Sequence, residues 1–344
     1  MKGHSARLVL VFLLAASGHV AGSPDPASWG RIDAIGAELF AVDAAHSYVG
    51  FTIGFLGLTK VRGTFKSYSA AILYDEKDPT RTSVTVVFDP ASIDTGNEGR
   101  DKDLKGPRFF DVEKYPRMSF QSQSIEKAGK DRYLVRGTLE MHGVQREIVF
   151  PMTQTVARMP DSAWGNIRVG GEAAVKVKRT DFGILGNEFW GARTLSNEVE
   201  VEIAILGNRF NFEKWSWDSR GKPSIGEVLS KTVETAGAPA AVAQYRELKE
   251  KSGNDYNFSA DQLGLLGNRL LQRRRFPEAM EIFRLLAAEA PKEAVAQARI
   301  GEVFAAMGDR EAALAAYRKA LELAPRNAEA IEMVRRLERP IAAR

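Results

Sequence analysis

The sequence predicts two architectures in one chain: an all-β antiparallel barrel or sandwich of about eight strands, then an all-α unit of helical repeats. Three observations carry this expectation. From about residue 42 to 206 apolar residues alternate with period two, and β-branched and aromatic types are frequent. After Trp215 the alternation gives way to helical spacing, and within that second half residue types recur at an interval of 34. A chain of 344 residues also exceeds the usual single domain, so two domains are expected.

The first element is not part of either unit. "MKGHSARLVLVFLLAASGHVAGSP" has a basic start, an apolar run from Leu8 to Ala16 and small residues before Ser23. This is the pattern of a secretory signal peptide over residues 1–22, with Val20 and Gly22 read at the cleavage site. A membrane anchor would need ~20 apolar residues. The expected location is therefore periplasmic or secreted, with no integral membrane segment once the signal is removed. Residues 23–40 are expected to be an N-terminal arm or linker. The chain has no Cys, which excludes disulfides, a lipoprotein thiol and thiolate chemistry. Its formal charge of +4 falls to +2 without Lys2 and Arg7, too little for a nucleic-acid footprint.

The β unit is expected over residues 41–208. "YVGFTIGF" puts Val49, Phe51, Ile53 and Phe55 on one face, and "SVTVVFD" does the same with Val84, Val86 and Phe88. In "YLVRGTLEM", Tyr133, Val135, Gly137, Leu139 and Met141 oppose Leu134, Arg136, Thr138 and Glu140. "REIVFPM" follows the His142-Gly143 turn, and "NEVEVEIAIL" aligns Val199, Val201, Ile203 and Ile205. No strong helix is expected among these strands.

Residues 209–239 are expected to link this unit to helical repeats over 240–344. Leu266-Gly267 and Ile300-Gly301, Ala279 and Ala313, Phe283 and Tyr317, and Pro291 and Pro325 are each 34 residues apart. This pattern resembles the tetratricopeptide repeat over residues 260–325, departing from it where Leu263 and Gln297 replace the usual Trp. Small residues let paired helices approach, the aromatic fills the space between them, and Pro ends the second helix.

Candidate chemistry is sparse. Beyond the signal only His46 and His142 remain, and neither has a His or Cys companion for a zinc site. The charged stretch "SIDTGNEGRDKDLKGPRFFDVEKYP" fails as an EF-hand loop, since Gly96, Glu98 and Lys105 stand where other ligands belong. Ser124 to Lys127 matches S-x-x-K without its partner motifs, and no nucleophile elbow occurs. No catalytic residue, metal or cofactor is therefore assigned. What remains is the β unit's inward-facing set: Phe51, Ile53, Phe55, Phe65, Val86, Phe88, Phe120, Val135, Leu139 and Met141. Periodicity allows either a packed core or a ligand cavity.

Several stretches together resemble the YceI-like, polyisoprenoid- or lipid-binding family: "VDAAHSYVGFTI", "VRGTFKSYSA", "SVTVVFDPASIDTGNEGRDKDL", "FFDVEKYPRMSFQS", "VRGTLEMHGVQREIVFPM", "KRTDFGI" and "LSNEVEVEI". They cover about residues 41 to 206. The resemblance implies a lipocalin-like antiparallel barrel around an apolar tunnel that holds an isoprenoid or similar long-chain lipid, with no catalytic residues. It adds Phe109, Phe110 and Phe182 to the expected lipid-binding set, with at least one of Phe109 and Phe110 turned inward. Two departures bear on the ligand's polar end: Phe55-Leu56-Gly57 where the family often has His-Leu-Gly, and Asp103 where it often has His. The matching Asp43, His46, Arg100, Asp101, Tyr115 and Asp181 serve either the ligand or the joining of strand ends.

The expected function is an exported lipid-binding protein, not an enzyme. Its barrel sequesters or carries the lipid, and its repeats meet an unknown protein partner through residues 240–344. The alternatives are a periplasmic adaptor acting through the repeats and, third, a lipid-modifying hydrolase.

Overall fold

The structure, a computed structural model, describes residues 31–32, 37–161, 165–186, 194–217 and 221–338. The expected signal peptide, residues 1–22, lies outside the described residues. The end of the expected arm does not: β1 (Arg31–Ile32) and β2 (Ala37–Val42) are strands of the sheet.

The remaining strands are β3 (Tyr48–Phe55), β4 (Thr59–Phe65), β5 (Tyr68–Tyr74), β6 (Ser83–Phe88), β7 (Ile93–Asp94), β8 (Met118–Gly129), β9 (Arg132–Met141), β10 (Val144–Pro160), β11 (Ile167–Lys178) and β12 (Leu195–Arg209). Every pairing is antiparallel. Across short bends β2 runs on into β3, β4 into β5 and β6 into β7. The strands thereby form a closed antiparallel barrel of 8 staves. Closure falls to β12, which pairs with β3 and then, farther along, with β2 at Gly207↔Val42 and Asn208↔Ala41. A closed ring leaves no long free edge.

One helix interrupts the strands, contrary to the sequence expectation. α1 (Glu98–Lys105) lies inside the charged stretch, with the Asn97 side chain accepting from the Arg100 amide at 2.9 Å. None of its residues is buried, so it carries no apolar period by which the sequence could have revealed it.

The helical unit comprises α2 (Ile225–Ser252), α3 (Ala260–Gln272), α4 (Phe276–Glu289), α5 (Ala294–Met307), α6 (Arg310–Leu323) and α7 (Ala328–Glu338). It begins at Ile225, within the stretch expected as linker. α2 turns sharply at Gly237 (φ 83°, ψ 169°), so that Thr232 before the turn donates to Gln244 after it at 2.6 Å. A helical pair therefore precedes the two repeats. The 34-residue spacing has a steric cause: a Cβ on Gly267 would stand 2.4 Å from the Phe283 ring, and one on Gly301 2.9 Å from the Tyr317 ring. Between barrel and helices the chain is also packed. Phe210, Phe212 and Trp215 stack on one another, and Arg269 donates to the carbonyls of Phe212 and Trp215.

Helices and barrel share a wall. In β2 and β5 every residue is buried, because alternate side chains go to two different cores. Phe40, Val42, Ala70, Ile72 and Tyr74 face the barrel interior. Leu39, Ala71, Leu73 and Val87 face outward and join Ala298, Tyr317, Ala330 and Met333. Polar groups fix the register of this contact. Glu332 of α7, 1% exposed, accepts from Ser83 Oγ and Thr85 Oγ1 at 2.5 Å each, and Arg335 donates to Ser122 O at 2.6 Å. Arg326 pairs with Asp89 at 2.7 Å. The helices that meet the barrel are α3, α5 and α7, while α4 and α6 form the outer layer.

A second buried charge group sits in the helical core. Arg299 of α5, fully buried, pairs with Glu302 of its own helix and with Glu329 of α7, close enough to interact electrostatically with Tyr317 of α6. Burial pushes the Glu302 carboxyl up to about 8, against the pull of Arg299 and with a further push from Glu329; Arg209 at the end of β12 pulls weakly the other way.

Two outcomes follow from these contacts. Glu332→Ala should lower unfolding free energy by about 1–3 kcal/mol, because the buried Ser83 and Thr85 hydroxyls lose their acceptor; urea titration measures this, with strand and helix signals lost in one transition. The raised Glu302 carboxyl holds its proton in the folded chain over a range where the unfolded chain has released it. It therefore contributes stability at low pH that is lost as pH rises through about 8. Glu302→Gln should reduce the fall in unfolding free energy between about pH 5 and about pH 8.5.

Candidate functional site

The barrel interior is a cavity of about 760 Å³, not a filled core. Close-packed interiors hold few voids larger than a water molecule, so a space of this size is a feature of the fold. It lies within the range of ligand sites, ~300–1,000 Å³. The eight-stave ring creates it by directing one parity of each strand inward.

Twelve of the thirteen side chains expected to contact lipid line this cavity: Phe51, Ile53, Phe55, Phe65, Val86, Phe88, Phe109, Phe110, Phe120, Val135, Leu139 and Met141. The thirteenth, Phe182, does not. At 1% exposure it packs with Val177 and Ile184 behind Phe109 and Phe110, because the short 3-10 turn after β11 carries it into the wall. Both Phe109 and Phe110 face the cavity, and Phe110 meets the Phe65 ring edge-on at 5.7 Å.

The expected lipid-binding set took no residue from β10 or β11. Ile148, Phe150 and Met152 of β10 and Val169, Ala173, Val175 and Val177 of β11 also line the cavity. The alternation in "AAVKVK" was the signal available for β11.

The cavity runs the length of the barrel. At one end it reaches Asn97, Arg100, Asp103 and Leu104 around α1, with Ile184 and Leu195; at the other it reaches Pro79, Thr82, Tyr133 and Gln154. Polar side chains thus gather at the two ends, and the middle is apolar. At the α1 end Arg100 is held by Thr95, with Nε to Oγ1 and Nη2 to the carbonyl, both at 2.7 Å. Thr95 is held in turn by Asp101 at 2.5 Å. Asp103 of α1 stands on the cavity margin, at the position where the sequence departs from the family.

Arg179 ties this end together. It is 6% exposed and donates to Ser196 O (3.1 Å), Ile184 O (2.8 Å) and Leu195 O (3.4 Å), joining the chain before and after residues 187–193. Burial lowers its pKa from the ordinary arginine value.

The two histidines are used locally. His46 Nδ1 lies 2.9 Å from Asp43, whose carboxylate also accepts from Asn208. His142 Nδ1 lies 3.0 Å from Phe182 O, and its ring packs on Tyr115 at 4.5 Å. Asp43 and Tyr115 thus join segments distant in the chain, His46 and Asp101 brace their own turns, and Arg100 does the latter while also lining the cavity. Among the described residues no three His, Asp or Glu side chains are grouped to hold a metal ion. No described helix is long and apolar enough to cross a membrane.

A closed antiparallel barrel around an end-to-end apolar cavity, braced by helical repeats, defines a hollow-barrel protein of lipocalin-like architecture. Comparison with known proteins narrows this. The YceI-like domain profile matches residues 40–206, and a tetratricopeptide repeat profile matches residues 294–327. The UPF0312 protein plu2095 of Photorhabdus laumondii is 33% identical over 168 residues, covering 49% of this chain and 84% of that protein. Protein YceI of Salmonella arizonae is 33% identical over 165 residues, covering 48% and 83% respectively. Among solved structures, the YCEI protein of Campylobacter jejuni is 31% identical with a TM-score of 0.42, covering 49% of this chain and 96% of that one. The chain belongs to the YceI-like family.

Overpacking separates a cavity from a core. Val201→Phe adds bulk on the inner face of β12, which in a packed core costs about 1–3 kcal/mol. Here the expected loss in urea titration is under about 1 kcal/mol, together with weaker uptake of the apolar dye Nile red.

Proposed function

We propose that the barrel binds and carries a single long-chain amphiphile, of isoprenoid or similar type, with its chain along the apolar axis. The observation that carries this reading is the cavity itself: apolar through the middle, continuous from end to end and polar only at its ends. Magnitudes set the chain length. Each buried methylene contributes ~0.8 kcal/mol, so ten contribute about 8 kcal/mol. Association costs about 4–15 kcal/mol, which ten methylenes scarcely offset. Chains near twenty carbons, at about 16 kcal/mol, exceed even the upper end of that range. No catalytic step is needed.

The repeats support a structural role alongside any recruitment. Their barrel-facing helices α3, α5 and α7 cover the outer wall, so a protein partner is expected on α4 and α6. The N-terminal pattern over residues 1–22 supports export to the periplasm or beyond.

Native mass spectrometry of the purified chain should show a bound mass that is released on lipid extraction. A barrel that retains no prenyl lipid or long-chain amphiphile among those offered would sink the proposal. Phe109→Ala combined with Phe110→Ala should weaken retention at least tenfold, about 1.4 kcal/mol, and retention should suffer more than stability, since both rings face the cavity.

A further inference from the structure

The two ends of the barrel differ in chemistry. Around the end holding Pro79 and Thr82 runs an ion network: Arg158 and Arg209 both reach Glu38, Arg158 also reaches Glu76, and Arg168 pairs with Asp161. Among the described residues, one large apolar side chain, Met159, is exposed there, whereas the α1 end exposes three leucines, Leu56 (50%), Leu58 (86%) and Leu185 (62%).

These leucines stand beside residues of the cavity rim. Leu56 and Leu58 occupy the β3–β4 turn directly after Phe55, which pairs with Leu195 across the barrel seam. Leu185 directly follows Ile184, which Arg179 clamps beside Leu195. Phe55, Ile184 and Leu195 line the cavity. Exposed apolar surface is thus continuous with the cavity mouth. Leu56 stands there despite a φ of 56°, a backbone conformation that Asn or Gly adopts more readily.

We propose that this end docks on the surface of a zwitterionic phospholipid bilayer and is the port through which the cavity exchanges its chain. The inference rests on the carrier reading above. Charge favours a zwitterionic surface over a strongly anionic one, because the basic and acidic side chains between residues 98 and 114 are equal in number. Three leucine side chains offer about twelve carbons, comparable with one acyl chain, which supports reversible contact and not permanent anchoring. Reversibility is what a carrier requires.

The test loads the full-length protein with NBD-labelled geranylgeraniol and follows its transfer to phosphatidylcholine vesicles. Binding is measured first. If the wild-type chain takes up no probe, the carrier reading fails and this inference falls with it. Given binding, the transfer rate should rise with vesicle concentration, the signature of collision. Leu56→Asn, Leu58→Ser and Leu185→Ser combined should slow transfer about tenfold while leaving equilibrium probe binding unchanged. A rate independent of vesicle concentration, or a triple variant that transfers as fast as wild type, would overturn the port while leaving the carrier reading intact.

Discussion

The wall formed by β2, β5 and β6 belongs to two cores at once, and the rest of the architecture depends on that double burial. A strand with one wet face alternates apolar and polar residues; these strands have no wet face. Their inward side chains pack around the cavity, with Ile72, Tyr74, Val84, Val86 and Phe88 lining it, and their outward ones pack beneath α5 and α7. The barrel is therefore stiffened from outside. This matters because its interior, being hollow, cannot supply the packing energy of a filled core. The helical repeats replace part of that missing support. They do so through their first helices, which fixes which surface is left for other proteins.

The charged groups divide into two kinds by the same logic. On the stretch from 92 to 116 they act locally: Asn97 caps α1, Asp101 holds Thr95, and Thr95 holds Arg100. These bonds shape a connection that turns Phe109 and Phe110 inward. In the interfaces polar and ionisable groups are buried and bonded, as with Glu332 between Ser83 and Thr85, or Arg299 between Glu302 and Glu329. A buried pair is a poor source of net stability but strongly penalises misregistered packing. Each of these groups sits where one layer must meet another in a single register.

Much of the barrel was legible because its period is short. Alternation placed Phe51, Ile53, Val86, Val135 and Leu139 on the inner face from sequence alone, and the 34-residue interval located the repeat pairs. α1 was not legible, having no buried face, nor was the role of Arg179, which depends on bringing Ile184 and Leu195 together. Phe182, expected from the resemblance, instead sits in the wall because the 3-10 turn after β11 carries it there. The connection over 209–239 reads as polar and loop-like, yet Phe210, Phe212 and Trp215 lock it down through contacts with α3 that lie 50 or more residues away in the chain.

The sequence by itself determined which half is strand and which is helix, where the repeats fall, and which residues share the barrel's inner face. Local periodicity fixes all three, since side-chain direction follows backbone geometry. Only the tertiary structure decided that the inner face encloses a space and does not close upon itself. It also decided that the outer faces of "AELFAV" and "YSAAILY" are covered by helices. The physical reason is that cavity and wall are set by ring closure and by contacts between residues hundreds of positions apart, such as Thr85 with Glu332. No local pattern encodes the distance between such partners.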